Sequence, residues 1–193
     1  MTTLSVPLFP LQTVLFPGGP LSLRVFEARY LDMVSHCMKK NEPFGVVLIT
    51  EGNEAGSEVI TQATGTLAMI TDWYQGADGL LGITATGESR FRLMSMYRQD
   101  DGLNTGDIEI LPPEPEAPVP GDYLHMAKIL HALLDDIGGL YEQIPRDFDD
   151  ASWVGYRLAE TLPIEQEQKQ YCLELDDPLA RLEFLNPFLQ QVA

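Results

Sequence analysis

The chain has 193 residues, of which 45% are hydrophobic, so it can bury one large core or two smaller ones. Its 29 acidic and 12 basic residues give a formal net charge of −17, which argues against binding to nucleic-acid phosphates and to anionic membrane surfaces. The sequence has no apolar run of about 18 residues and no N-terminal secretory pattern, so we expect no membrane segment. Two distant cysteines make no disulfide framework, and a cytoplasmic location is expected.

Short strands dominate the first 111 residues. Alternating or β-branched apolar runs predict about seven of them, and residues 75–79 have the composition of a hairpin turn. The predicted strands cover residues 4–11, 21–26, 44–50, 66–74, 80–86, 90–97 and 107–111. One helix is predicted over 27–40, because apolar residues recur there on a single helical face. This pattern is typical of a small barrel or sandwich with one inserted helix.

A proline-rich segment then separates the strand-rich part of the chain from a part with helical patterns. Five of the ten residues at 112–121 are proline, which removes backbone donors and favours extended conformations. We predict a semi-rigid linker there, between a β domain at 1–111 and a helical bundle at 122–193. Helices are predicted to begin near residues 123, 152, 165 and 178. The β part carries 7 basic and 13 acidic residues, whereas the helical part carries 5 and 16.

Residues 82–89 nearly match the phosphate-binding loop Gly-x4-Gly-Lys-Ser, but Glu88 occupies the lysine position. A carboxylate there would repel the terminal phosphates of a nucleotide. The following residues, 90–93, also have the pattern of a strand, whereas this loop should open a helix. We therefore interpret 82–89 as a turn between two strands, and no nucleotide cofactor is predicted.

No catalytic or metal site is predicted either. His36 precedes Cys37, but neighbours on a helix point about 100° apart, so adjacency does not make a nucleophile–base pair. Cys37 lies on the apolar helical stripe and is predicted to be a core residue. A small hydrolase that uses Cys37 or an acidic pair is the enzymatic alternative. His125 and His131 are six residues apart and face different directions, so they do not form a metal site.

Three short motifs follow one another in the first thirty residues. They are Pro-Leu-Phe-Pro-Leu at 7–11, Val-Leu-Phe-Pro-Gly at 14–18 and Phe-Glu-x-Arg-Tyr at 26–30. Further matches lie at 44–48, 65–68, 87–93 and 162–164. Together these motifs resemble the substrate-binding domain family of Lon proteases, and the resemblance covers nearly the whole chain.

The resemblance implies an α+β fold: a PUA-like, mainly antiparallel β pseudo-barrel with one inserted helix, followed by a C-terminal helical bundle. In complete Lon proteases this region precedes an ATPase domain and a serine–lysine protease domain. The sequence ends before either would begin, so the resemblance implies a non-enzymatic module. Its expected partners are unfolded or exposed apolar polypeptide segments. The alternative is an adaptor for a separate ATP-dependent protease. No oligomeric state is predicted.

Two groups of side chains are singled out. Trp73 and Tyr74, beside the hairpin turn, and Phe16 are the predicted peptide contacts, because aromatic residues at rims often anchor partners. All three are equally compatible with a place in the core. The motif residues expected to build the fold are Pro10, Pro17, Gly18, Phe26, Glu27, Arg29, Tyr30, Arg90 and Phe91. The phenylalanines among them are expected in the core, and Glu27 and Arg29 are expected to pair with Arg90 or to cap the helix.

Overall fold

The computed structural model describes residues 3–54 and 59–189. It forms two compact units, which are divided between Pro112 and Pro113. The elements of the first unit are β1 Thr3–Leu11, β2 Pro20–Val25, α1 Ala28–Lys40, β3 Phe44–Glu51, β4 Ile60–Gln75, β5 Leu81–Arg98 and β6 Asn104–Ile110. The α-helices of the second unit are α2 Leu124–Ile137, α3 Ala151–Thr161, α4 Gln166–Glu174 and α5 Pro178–Leu189. We call the two units the barrel unit and the helical unit.

The barrel unit is one sheet in the order β2-β5-β4-β3-β1-β6. Strand β6 also pairs with β5, which closes five of the strands into a barrel and leaves β2 as an outer strand on β5. The β1–β3 pairing is parallel, and the other five pairings are antiparallel. The α+β fold with a mainly antiparallel barrel, one inserted helix and a following set of helices is therefore confirmed.

Strand β5 corrects the interpretation of residues 82–89 as a turn between two strands. The chain continues through this segment as one strand of 18 residues, paired with β4 on both sides of Gly87. A Cβ atom on Gly87 would lie 2.1 Å from the carbonyl oxygen of Phe16, so the approach of these two backbones requires glycine. The glycine marks a close backbone contact within a strand, which sequence composition does not distinguish from a turn.

Helix α1 covers part of the barrel with the face that the sequence predicts. Tyr30, Met33, Val34 and Cys37 are all buried, and they join a core cluster that also contains Phe44. The helix ends at the next residue after Lys40, an asparagine with φ of 53°, in the left-handed conformation common at helix C-termini. The helix was predicted over 27–40, and it begins one residue later, at Ala28, and its last helical residue is Lys40, as predicted.

The proline-rich segment is attached to the helical unit. Val119 donates a backbone hydrogen bond to the carbonyl of Asp149 at 2.9 Å, and Ala151 donates one to the carbonyl of Ala117 at 2.8 Å. These bonds place the segment beside the start of α3, where Asp150 caps the helix by accepting hydrogen bonds from its first backbone N–H groups. Because half of its residues are proline, the segment keeps an extended path along the helices.

Glu114 of this segment anchors it to a buried arginine. The carboxylate of Glu114 accepts two hydrogen bonds from the guanidinium of Arg181, and it also accepts bonds from Tyr156 and Ser152. Arg181 is 0% exposed, stacks 3.9 Å from the centre of the Tyr156 ring and donates from Nε to the carbonyl of Cys172 at 2.7 Å. Burial alone would raise the pKa of Glu114, but these hydrogen bonds and the arginine charge outweigh it and lower that pKa.

Candidate functional site

Three exposed aromatic side chains lie at one end of the sheet formed by β2, β5 and β4. Trp73 and Tyr74 are 57% and 46% exposed near the end of β4, and Phe26 is 63% exposed directly after β2. The register pairs Leu81 of β5 with the last residue of β2 on one side and with the last residue of β4 on the other. The three aromatic residues therefore share one end of three adjacent strands. We call them the aromatic rim.

The ring of Tyr74 is held across a glycine of the neighbouring strand. A Cβ atom on Gly82 would come within 2.3 Å of the Tyr74 ring, so the ring occupies the space that a side chain would take. On the other side of Gly82 lies Arg24 of β2, which forms an ion pair with Asp78 of the hairpin turn. Gly79 completes this turn with φ of 82°, a conformation that favours glycine.

Trp73 points to the opposite face of the sheet, because side chains alternate along a strand. It lies in register with Ile83, which is 0% exposed in the barrel core. The indole therefore lies on the core-facing side of the sheet, but at a position where it is exposed to solvent. Its backbone N–H donates to the carboxylate of Asp72 at 2.8 Å.

The strands that carry the aromatic rim also have open edges. Within the described residues, β2 pairs with β5 alone, and β4 beyond Ala68 pairs with β5 alone. An exposed strand edge can accept an extended polypeptide through main-chain hydrogen bonds.

Two of the predicted aromatic positions change their role. Phe16 is 0% exposed and belongs to the core, so it is not part of the aromatic rim. Phe26 was expected in the core, and this expectation is wrong. Val25 occupies the core position and is 2% exposed, so the next side chain along the extended chain points away from the core.

The remaining motif residues build the barrel. Pro10 lies inside β1 in register with β3. Pro17 and Gly18 are the two central residues of a turn, in which Gly18 has φ of 69° and donates to the carbonyl of Gly87 at 2.7 Å. Tyr30 stacks on a core phenylalanine with ring centres 3.9 Å apart. Two further motif residues are almost completely buried, namely Arg90 and Phe91.

Arg29 ties the start of α1 to two loops. It is 8% exposed, and its guanidinium donates to the carbonyl of Gly102 at 2.9 Å and to that of Glu54 at 3.3 Å. It also pairs with Glu27 at 2.7 Å. Glu27 precedes the helix as its N-cap residue, but its side chain makes no capping hydrogen bond, so the expected cap is corrected to an ion pair.

The two cysteines are separate, buried thiols. Burial, with a smaller contribution from Glu42, raises the pKa of Cys37 to about 11. Burial likewise raises the pKa of Cys172 to about 11, although nearby Arg181 and Lys169 oppose it. A thiol with such a pKa is protonated at neutral pH, and only the thiolate is a strong nucleophile.

We therefore expect both thiols of the native protein to react slowly with iodoacetamide at pH 7.5. The rate should be roughly a hundredfold below that in urea-unfolded protein, because burial suppresses both access and thiolate formation. Intact-mass measurements over time, with and without urea, test this expectation. Rapid labelling of Cys37 in the native protein would reopen the hydrolase alternative.

A further group of titratable side chains lies between α3 and α4. Among the described residues, no three His, Cys, Asp or Glu side chains are grouped so as to hold a metal ion. Glu160 is a buried carboxylate whose pKa is raised by desolvation, but Arg157 lies 3.1 Å away and is 0% exposed. Lys169 donates to the carbonyl of Glu160 at 2.8 Å. This cluster joins α3 to α4 inside the helical unit and serves packing.

The described part of the chain also contains no helix of the length and hydrophobicity needed to cross a membrane.

Comparisons with known proteins place this geometry in a family. Residues 5–191 match the family described as the ATP-dependent protease La (LON) substrate-binding domain. The chain is 25% identical over its full length to the Lon protease of Haemophilus influenzae, and 26% identical over 111 residues, 55% of the chain, to the protein cereblon of Gallus gallus. It spans about a quarter of the length of each of these relatives, 25% and 24%.

Solved structures give the same result. The Lon N-terminal domain protein from Xanthomonas campestris is 37% identical, with a TM-score of 0.79 over 95% of this chain and 98% of that one. The N-terminal domain of the Mycobacterium avium complex Lon protease is 16% identical, with a TM-score of 0.67 over 98% of this chain and 100% of that one, which supports the fold. This chain belongs to the family of LON substrate-binding domains.

Proposed function

We propose that this chain is a non-enzymatic module that binds unfolded polypeptides, with the aromatic rim as a contact surface. The observation that carries this proposal is the exposure of Phe26, Trp73 and Tyr74 at one end of three adjacent strands in a substrate-binding domain. Aromatic side chains supply large apolar contact areas, and they dominate the binding energy of many interfaces.

The binding mode that fits this surface is an extended segment laid along a strand edge. The open edges of β2 and β4 offer backbone hydrogen-bonding groups, and the neighbouring aromatic rings offer apolar contacts for alternate side chains of the segment. Such recognition depends little on sequence, because the main chain supplies most of the hydrogen bonds. That property suits a module whose partners share only an unfolded state.

A titration with a fluorescently labelled, unfolded polypeptide of near-zero net charge tests the proposal by anisotropy. The wild-type protein should bind saturably, and Trp73→Ser or Tyr74→Ser should weaken binding at least about tenfold, since central aromatic contacts are typically worth more than 1.4 kcal/mol. Tyr97→Ser is the matched control, because Tyr97 is 49% exposed near the other end of β5.

Two results would contradict the proposal at different levels. Wild-type protein that fails to bind the polypeptide saturably would overturn the function itself. Equal weakening by the Trp73, Tyr74 and Tyr97 variants, or none by any of them, would overturn the assignment to the aromatic rim. An adaptor role for a separate ATP-dependent protease stays a prediction; degradation of the bound polypeptide by such a protease, with and without this chain, measures it.

We also propose that the protein works in a reducing compartment such as the cytoplasm. Cys37 and Cys172 are both free thiols and lie in different units of the chain. Proteins of oxidising compartments more often use their cysteines in disulfides.

A further inference from the structure

The helical unit carries a second aromatic surface, formed by α4 and α5. Tyr171 of α4 is 48% exposed, and its ring centre lies 4.8 Å from that of Phe184 on α5. Phe184 in turn lies 5.5 Å from Phe188, one turn further along the same helix. Both phenylalanines are half-buried. These three rings form a continuous row, which we call the helical aromatic row.

The charges around this row are of one sign. Six acidic residues lie between residues 165 and 189, and all six are exposed: Glu165, Glu167, Glu174, Asp176, Asp177 and Glu183. Two of them, Glu167 and Glu174, lie about one helical turn before and after Tyr171 on α4. Glu183 directly precedes Phe184.

Neither of the two basic residues in the same segment is exposed to the degree that the six acidic residues are. Arg181 is 0% exposed and bound to Glu114. Lys169 is half-buried and donates to the carbonyl of Glu160, and its pKa is lowered by burial. Across the whole helical unit, 13 of 16 acidic residues are exposed, against two of five basic residues, Lys128 and Arg146. Arg146 is itself paired with an aspartate at 2.6 Å.

We propose that the helical aromatic row binds polypeptide segments that combine lysine or arginine with apolar residues. This inference rests on the proposed function and names the class of segment preferred. Aromatic faces attract both apolar side chains and cations, and the flanking carboxylates supply the opposite charge. An acidic segment would instead be repelled by six carboxylates with no exposed cation among them.

Three labelled peptides of identical length and apolar positions test this preference, with lysine, serine or glutamate at the intervening positions. The lysine peptide should bind the full chain at least about tenfold more tightly than the glutamate peptide at 50 mM salt, and the difference should shrink at 500 mM salt because salt screens exposed charges. Tyr171→Ser, a change at an exposed side chain, should weaken binding of the lysine peptide about tenfold.

Two double charge-reversal variants distinguish the effect of the carboxylates beside the row from the effect of the protein's overall charge. Glu167→Lys with Glu183→Lys should abolish the preference for the lysine peptide, whereas Glu116→Lys with Asp136→Lys, which changes two exposed acidic residues elsewhere in the unit, should retain most of it. Circular dichroism of each variant verifies that it is folded.

The possible results lead to distinct conclusions. Equal binding of the three peptides would overturn this inference and leave the proposed function standing. An equal loss with both charge-reversal pairs would also overturn it, because the preference would then belong to the net charge of −17 and not to the row. Absence of binding by all three peptides and by the unfolded polypeptide would overturn the proposed function as well.

Discussion

Replacing Glu114 with glutamine is expected to destabilise the helical unit by about 3 kcal/mol or more. The guanidinium of Arg181 donates to the Glu114 carboxylate and to two backbone carbonyls, so the substitution removes the charged acceptor among these three groups. Arg181 itself is 0% exposed. Loss of one partner from a buried ion pair leaves the other charge desolvated and uncompensated. Glu116→Gln is the control, since Glu116 lies two residues away in the same segment and is exposed.

The two tryptophans make this measurement specific to one unit. Trp73 lies in the barrel unit and Trp153 in the helical unit, and the chain has no others. In a Trp73→Phe background, urea unfolding followed by fluorescence reports on Trp153 alone. A midpoint for Glu114→Gln equal to that of Glu116→Gln would show that Arg181 is adequately satisfied without the carboxylate.

The same pair gives the stability a pH dependence of known sign. The pKa of Glu114 is lower in the folded state than the value of about 4.3 expected for an unfolded chain. A group with a depressed folded pKa stabilises the protein above its unfolded pKa, and that contribution is lost as the pH falls through the folded pKa. The difference between wild type and Glu114→Gln should therefore be full at pH 7 and shrink below about pH 4.

Replacing Phe91 with alanine is expected to destabilise the barrel unit by about 3–5 kcal/mol. Phe91 is 0% exposed and belongs to a core cluster. Cβ atoms on Gly45 and Gly65 would lie only 3.0 and 2.6 Å from its ring, so two glycines on adjacent strands make room for it. Because these neighbours have no side chains that could move into the vacated space, the cavity would stay open and the cost should be high.

Phe26→Ala is the matched control, because both phenylalanines belong to motifs of the same family. Phe26 is 63% exposed, so its removal should change the free energy of unfolding by only about 0.5 kcal/mol. Urea unfolding in a Trp153→Phe background, in which Trp73 reports on the barrel unit, compares the two. Similar costs for both substitutions would mean that Phe26 is packed in solution and would remove it from the aromatic rim.

The family and the order of elements could be predicted from the sequence, and the reason is local. Apolar residues that alternate along β2, or that recur on one face of α1, identify a strand or a helix without any knowledge of distant contacts. The motifs at 7–11, 14–18 and 26–30 combine turn glycines and prolines with core aromatics, so they report on the fold more than on a binding surface.

The candidate site could be predicted only in part. Trp73 and Tyr74 were identified by their position beside a hairpin turn, and the structure leaves both exposed. Phe26 was missed, although the alternation of Leu21, Leu23 and Val25 as core residues already places the next residue on the other face. The helical aromatic row was missed because the spacing of Phe184 and Phe188 predicts only a pair on α5, and Tyr171 joins them from a different helix.

What the sequence determined by itself was therefore the fold class, the family and the strand or helix character of most elements, although two of the seven predicted strands are one continuous strand, β5. Only the tertiary structure decided that Gly87 lies within a strand, that Glu114 anchors a proline-rich segment on Arg181, and which aromatic side chains meet solvent. Each of these depends on residues far apart in the chain, such as Phe16 against Gly87. Periodicity encodes which face of an element is apolar, but the partner that covers that face is chosen by packing.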